Sequence, residues 1–465
     1  LTRFACATLK LTTVILAAGR GARMRSALPK VLHPLAGRPL LAHVLTAARA
    51  LPNNDVYIVY GHGGAQVQSA FAHESEIHWV HQTEQLGTGH AVAQVLPHLV
   101  DPALVLVLYG DVPLISTDTL RLLIQAANHH TLALLTVALD NPTGYGRIVR
   151  DVNGSVLRIV EEKEANDVIR QINEVNTGII AVSAAHLRRW LTQVQNNNAQ
   201  GEYYLTDIIA LAVNEQITIK TFTTQKTQEV LGINDRVQLA TLERYYQQQQ
   251  VEQLMLQGVT VLDPARLDIR GHVELMGEDV LIDVNVILSG HNRIGSRVQI
   301  GANCILHNVT LADDVEILPH SVLENTVVGQ GCVIGPFARL RPGTVLADQV
   351  KIGNFVETKK ITVGYGSKIN HLSYIGDSDI GQKVNIGAGT ITCNYDGVNK
   401  HKTVIGDGAF IGSDTQLVAP VTVGAGATIG AGSTITKDAP AEQLTLSRSS
   451  QVSFARWQRP EKKSS

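Results

Sequence analysis

The chain is 465 residues long, enough for about three ordinary domains or two large ones. Its 44% hydrophobic and 17% charged residues suit packed cores and exclude a disordered chain. With 39 Lys and Arg against 41 Asp and Glu, the net charge of −2 excludes the basic field of a nucleic-acid coat protein, and no apolar run reaches the ~18 residues that span a bilayer. The first thirteen residues carry Arg3 and Lys10 but no following apolar core with a small-residue cleavage site, so the expectation is a cytoplasmic protein without membrane insertion. Cys6, Cys304, Cys332 and Cys393 stand too far apart for a metal or redox pair, which fits a reducing compartment. Of the 40 glycines, 24 fall between Gly271 and Gly432, so two architectures share the chain.

Aliphatic runs at 13–17, 56–59, 104–108 and 133–137 read as buried strands, and 40–50, 66–72 and 90–96 between them have helical spacing. This alternation predicts a doubly wound, Rossmann-like α/β domain over 1–236, with ligands at the carboxyl ends of its strands. The first strand runs into Ala18-Gly19-Arg20-Gly21-Ala22-Arg23-Met24 and on to Lys30. Closely spaced glycines let backbone N–H groups approach phosphate oxygens, and Arg23 and Lys30 add positive charge. Met24 fills the third-glycine position of a dinucleotide fingerprint and no Gly-Lys-Ser/Thr follows, which excludes both that motif and a Walker loop. A strand-end loop for a nucleoside triphosphate remains, or an ordinary glycine turn.

Gln82 offers a base-reading amide, and Gly87-Thr88-Gly89 opens the next helix toward phosphate. Tyr109-Gly110-Asp111 delivers a carboxylate to the sheet edge, suited to Mg²⁺ or to a simple turn. The 142–147 loop with Gly146, then Glu161 and Asn176-Thr177-Gly178, add polar groups for sugar hydroxyls. Each signal is weak alone; their order along one sheet gives them weight. Asn234-Asp235 reads as the cap of a connecting helix over 237–257 with no chemical role, its glutamines 247–250 forming a solvated face.

From Ile294 onward an Ile/Val–Gly pair recurs, mostly at six residues or multiples of six, as from Ile294 to Ile300, from Val328 to Ile334 and Ile352, and from Ile411 to Val423 and Ile429. The residue four positions later is usually small or β-branched: Val298, Cys304, Cys332, Ala338, Thr415, Ala427, Ser433. Two in-phase positions make a hexapeptide β-helix signature over 258–465, with stacked aliphatics as core and glycine relieving crowding at the corners. The nineteen residues from Ile386 to Ile405 break the phase, so a polar loop at 392–397 leaves the coil. His371 and Tyr374 fall off both core positions, and crowd with Lys359, Asn385 and Asn394-Tyr395 onto neighbouring coils.

Leu16-Ala17-Ala18-Gly19 through Lys30, Gln82, Gly87-Thr88, Tyr109-Gly110-Asp111, Gly146, Glu161, Asn176 and Asn234 resemble the sugar-1-phosphate nucleotidyltransferases. The likeness is greatest to the bacterial bifunctional N-acetylglucosamine-1-phosphate uridylyltransferase/glucosamine-1-phosphate acetyltransferases, over about residues 13–459. It implies that these residues and Arg23 bind UTP and UDP-N-acetylglucosamine, with Mg²⁺ on Asp111 and Asn234. In the left-handed parallel β-helix it implies His371 as general base for acetyl transfer, Arg341, Lys359, Tyr374 and Asn385 on the sugar phosphate, and Ala388, Asn394, Tyr395, Ser413, Ala431 and Arg448 on acetyl-CoA. It further implies a homotrimer and a role in cell-envelope precursor supply. Two alternatives stay open: a single nucleotidyltransferase whose β-helix only oligomerises or regulates, and a dTTP or ATP substrate.

Overall fold

The structure, a computed structural model, describes residues 10–460 and 462. Arg3, Cys6 and most of the Ser/Lys-rich end lie outside the described residues. The chain divides into two units, Leu1–Tyr246 and Gln247–Ser465. Among the described residues no helix is long and apolar enough to cross a membrane.

In the first unit the strands lie in the order Thr218–Thr224, Thr131–Ala138, Glu174–Ser183, Ala103–Tyr109, Lys10–Ala17, Asn54–Tyr60, Ile77–His81. Only Glu174–Ser183 runs antiparallel to its neighbours along this path. The period-2 alternation of the first strand builds the sheet's two covers. Leu11 and Ile15 enter a core with Leu41, Val44 and Leu120, while Val14 enters another with Val92, Leu187 and Trp190. Helices Leu40–Arg49 and Thr117–Ala126 thus pack on one face, and Thr88–Ala93, Ala184–Leu191 and Asp207–Asn214 on the other. The doubly wound α/β reading is borne out. Met24, the residue that breaks the dinucleotide fingerprint, is buried among Leu35, Leu40, Ile233 and Leu242.

Helix Arg236–Leu256 is capped by Asp235, whose carboxylate accepts the Gln238 N–H at 2.8 Å; the Asn234 N–H donates in turn to Gln238 Oε1 at 2.7 Å. The glutamine run is not simply a solvated face. Gln247 is buried, donating through Nε2 to the Ile269 carbonyl at 2.9 Å and accepting the Ile269 N–H at 2.7 Å. Strand Leu267–Leu275 begins its sheet, so one edge of Ile269 lacks a strand partner, and the Gln247 amide supplies both missing bonds. Val251 and Leu254 join the second unit's core, while Leu242 belongs to the first unit's.

The second unit is a parallel β-helix, all its ladders in the 11- and 13-stranded sheets running parallel. Its corners are columns of left-handed residues 17 or 18 apart, such as Asn303, His320, Phe337, Phe355, Leu372, or Asn308, Asn325, Gly343, Lys360, Asp377. The two in-phase sequence positions are both interior: Ile294, Ile300, Ile352 and Ile411 are buried, as are Val298, Cys304, Cys332, Ala427 and Ser433. The glycine that follows each aliphatic residue relieves crowding between coils, while many corner positions are not glycine at all. A Cβ on Gly364 would lie 2.6 Å from the next coil's backbone, and one on Gly412 2.5 Å away. The polar loop starts later than expected. Residues Ile391–Cys393 stay in the ladder opposite Gln416–Val418, and the chain leaves at Asn394, closes a Tyr395–Lys400 bridge, and returns at Thr403.

Candidate functional site

A cleft of about 970 Å³ opens at the carboxyl ends of strands Lys10–Ala17 and Ala103–Tyr109. Leu16, Ala17, Ala18, Gly19, Lys30, Gln82, Gly87, Thr88, Tyr109 and Asp111 line it, so most of the sequence-predicted nucleotide residues meet in one place. Each arrives by a local device. Gly21 takes φ +60°, and a Cβ there would strike the Lys30 Cβ at 2.7 Å, so the glycine loop rests on the lysine stem. Gly87, at φ +111°, presses on the Tyr203 backbone, and Thr88 Oγ1 accepts the Leu205 N–H at 3.1 Å. Gln82 is buried and its amide donates to the Gly87 carbonyl at 3.2 Å, so it braces this turn as well as lining the cleft.

Beyond Tyr109, Asn176 and Gly178 line a small adjoining cavity with Thr206. The register shift after Asn176 marks a bulge, and Gly178 there, at φ +81°, leaves room for the Tyr109 ring. Glu161 accepts from the Thr206 hydroxyl at 3.0 Å beside Gly146. Burial raises the Glu161 pKa, and burial with the charges of Glu164 and Glu161 pushes Asp207 up to about 6. Tyr109 is likewise held in its neutral form by burial and by Glu161 and Asp111.

Lys30, Asp111 and Asn234 converge. The Lys30 ammonium pairs with Asp111 Oδ2 and donates to Asn234 Oδ1 at 3.1 Å. Two expected residues take other places. Gly110 is buried against Val31, Leu41 and the Leu16 carbonyl, a packing position rather than part of the cleft wall. Arg23 stands exposed on the turn Ala22–Met24, outside the cleft lining, where its charge reaches Tyr145. Arg20, Gln85 and Glu202 also line the cleft; no motif spacing singles them out.

On the β-helix, His371 is exposed and its Nδ1 lies 2.8 Å from the Asn354 Oδ1. An amide oxygen only accepts, so Nδ1 carries the hydrogen, and in the neutral ring that tautomer leaves the lone pair on Nε2. The two residues are ladder partners on adjacent coils. Their column continues through Ala388, Ser413 and Ala431, each one coil further, and Arg448 donates to the Ala431 carbonyl at 2.9 Å. Asn385 lies on the same sheet, one coil beyond Lys368. Around the next corner Arg341 pairs with Glu357 at 2.7 Å. Lys400 reaches back from the 394–402 excursion to Lys359, whose pKa it lowers through a side-chain contact and its charge, with Arg341 adding to the effect. Tyr374 curls over Gly376 beside Asn394, which donates to Asp377. Tyr395 is exposed on the excursion. Asn354 and Lys400 are the residues sequence reasoning missed; counting back one 17-residue coil from His371 finds the first.

Three family models match: a MobA-like NTP transferase domain over residues 13–176, a GMPPB C-terminal domain over 270–364, and a bacterial transferase hexapeptide of six repeats over 402–437. Among curated relatives, the bifunctional protein GlmU of an Azoarcus species is 57% identical over 452 residues, 97% of this chain and 100% of that protein. The Marinobacter nauticus GlmU is 57% identical over 97% of this chain and 99% of its own. That of Acinetobacter baumannii is 56% identical over 98% and 99%. The chain belongs to the bifunctional GlmU family. Membership accords with the nucleotidyltransferase-type α/β unit and the hexapeptide β-helix read from the residues.

Proposed function

We propose that the chain catalyses two successive transfers. The β-helix unit moves an acetyl group from acetyl-CoA to the amine of glucosamine-1-phosphate. The α/β unit then joins N-acetylglucosamine-1-phosphate to UTP, giving UDP-N-acetylglucosamine and pyrophosphate for cell-envelope polysaccharides.

In acetyl transfer, Nε2 of His371 takes a proton from the sugar ammonium, so that the amine can attack the thioester carbonyl; coenzyme A leaves as its thiol. Asn354 holds the ring in the tautomer that leaves Nε2 basic. Arg341, Lys359 and Lys400 supply three cations for the sugar phosphate, with Tyr374 and Asn385 on the sugar. The Ala388–Ser413–Ala431 column and Arg448 offer the coenzyme an extended edge leading away from His371, with Asn394 and Tyr395 beside it.

In uridylyl transfer, a sugar-phosphate oxygen displaces pyrophosphate at the α-phosphorus. The loop from Leu16 to Gly19 and Lys30 position the phosphates, and Gln82 with Gly87-Thr88 faces the base. Gly146, Glu161 and Asn176 face the sugar. Asp111 and Asn234 fit a Mg²⁺ ion, because their hard oxygens already converge on one cation, the Lys30 ammonium. Bound there, the ion would neutralise phosphate charge in the transition state.

The observation that carries the two-reaction reading over a β-helix that merely oligomerises is the His371–Asn354 pair, on coils that also hold Lys359 and Tyr374. The assembly proposed is a homotrimer, supported by an exposed stack of His320, Phe337 and Phe355 along one corner; sedimentation as a monomer would overturn it. The compartment proposed is the cytoplasm, supported by the three described cysteines being free. The deciding experiment supplies glucosamine-1-phosphate, acetyl-CoA, UTP and Mg²⁺, then identifies the nucleotide sugar. Release of coenzyme A and appearance of UDP-N-acetylglucosamine are expected; a nucleotide sugar formed without acetylation, or with dTTP or ATP preferred, would refute the assignment.

A further inference from the structure

The oxygens of Asp111 and Asn234 are not idle in this structure: one side chain serves both. Lys30 and Asp111 are only 15% and 16% exposed, and the ammonium also donates to Asn234 at 3.1 Å. The surroundings fix the root of the lysine side chain beside these oxygens and leave its ammonium end able to swing. Its stem lies under Gly21, and Pro29 precedes it in extended conformation at φ −52°, ψ 139°. A partly buried carboxylate paired with an ammonium has its charge offset, and this removes most of its attraction for a second cation.

We infer that Lys30 is a resident counter-ion which competes with the divalent metal for Asp111 and Asn234, so that metal enters only as the ammonium is drawn off these oxygens onto nucleotide phosphate. The inference rests on the reading of Asp111 and Asn234 as the metal pair. A Mg²⁺-sized ion sits at about 2.0–2.1 Å from each oxygen. An ammonium in hydrogen-bond contact with the same two oxygens would be pressed against it, cation on cation. The ammonium therefore has to move, and a triphosphate in the adjoining cleft gives it an anionic partner. Metal and nucleotide thereby bind with positive coupling, each favouring the other by the same factor. Lys30 acts here as a positioning and gating residue in addition to its phosphate contact.

The test measures Mn²⁺ binding to the full-length, nucleotide-free protein by the loss of the free-ion paramagnetic resonance signal. Lys30→Met removes the charge, and Lys30→Gln removes it while keeping an N–H donor toward Asp111, a second route should the methionine variant fold poorly. Each is expected to bind Mn²⁺ at least about tenfold more tightly than the parent, within the range of ordinary coupled sites. Addition of UTP should tighten Mn²⁺ strongly in the parent and far less in either variant. Unchanged or weaker Mn²⁺ binding by both variants overturns the inference. The metal pair itself is checked separately with Asp111→Asn in the presence of UTP. If that change weakens Mn²⁺ binding while the Lys30 variants bind like the parent, the metal assignment stands and the counter-ion inference falls. If it leaves Mn²⁺ binding intact, the metal assignment falls and takes the inference with it.

Discussion

The most informative perturbation of the proposed acetyl site is at Asn354, because it separates holding the proposed base from being one. His371 Nδ1 and Asn354 Oδ1 are 2.8 Å apart, and His371 is exposed, so the amide is what fixes the ring's tautomer and angle. His371→Ala removes the base and is expected to slow acetyl transfer by ~10²–10⁴-fold. Asn354→Ala removes one hydrogen bond that in general contributes ~0.5–1.5 kcal/mol, which corresponds to ~2–10-fold in kcat. Asn354→Asp keeps the acceptor but adds a negative charge beside the ring. That charge favours the imidazolium, raises the histidine pKa, and moves the acidic limb of the kcat–pH profile upward. The assay is coenzyme A release against glucosamine-1-phosphate from pH 5.5 to 9, with uridylyl transfer from preformed N-acetylglucosamine-1-phosphate as control. The control should be unchanged in all three variants. An Asn354→Asp profile superimposable on the parent's would refute the reasoning, and so would an Asn354→Ala enzyme as slow as His371→Ala.

Asp111→Ala should abolish uridylyl transfer and leave acetyl transfer near normal, since the two proposed sites lie in different units; full uridylyl activity in excess Mg²⁺ would contradict it. Asp207 has its folded pKa raised to about 6, above its unfolded value, so its contribution to stability is present in full below the unfolded pKa and is lost as pH rises through about 6. Asp207→Asn should therefore stabilise the first unit relative to the parent at pH 7.5 but not at pH 4, read as the difference in thermal unfolding midpoints; a pH-independent difference would reject the argument. Gly353→Ala would place a Cβ 1.9 Å from the Asn370 carbonyl oxygen on the next coil. Such overpacking commonly costs ~1–3 kcal/mol, so a lower denaturation midpoint of the β-helix is expected, and an unchanged one would mean that the coils can separate freely.

Much of this protein is determined by its sequence alone. Both periodicities are local properties of the chain: near-continuous aliphatic runs between helical stretches made the α/β sheet legible, and a six-residue phase made the β-helix legible down to Cys304 and Cys332 as interior residues. His371 stands out because it falls on neither in-phase core position and lies on coils shared with Lys359 and Tyr374. The contacts that turn residues into sites were decided by tertiary structure. Lys30 meets Asp111 and Asn234 from 81 and 204 positions away, a convergence that no spacing rule encodes. Asn354 reaches His371 only because coils here are 17 residues rather than 18, which shifts every ladder partner by one. Lys400 reaches Lys359 because an excursion folds back on its own bridge. Gln247, polar and within a run of its own kind, is buried because Ile269 at the start of a sheet needs a donor and an acceptor. Burial patterns depend on neighbours in sequence and can be read from them; hydrogen-bond and charge partners depend on where distant segments come to rest, and only the folded chain sets that distance.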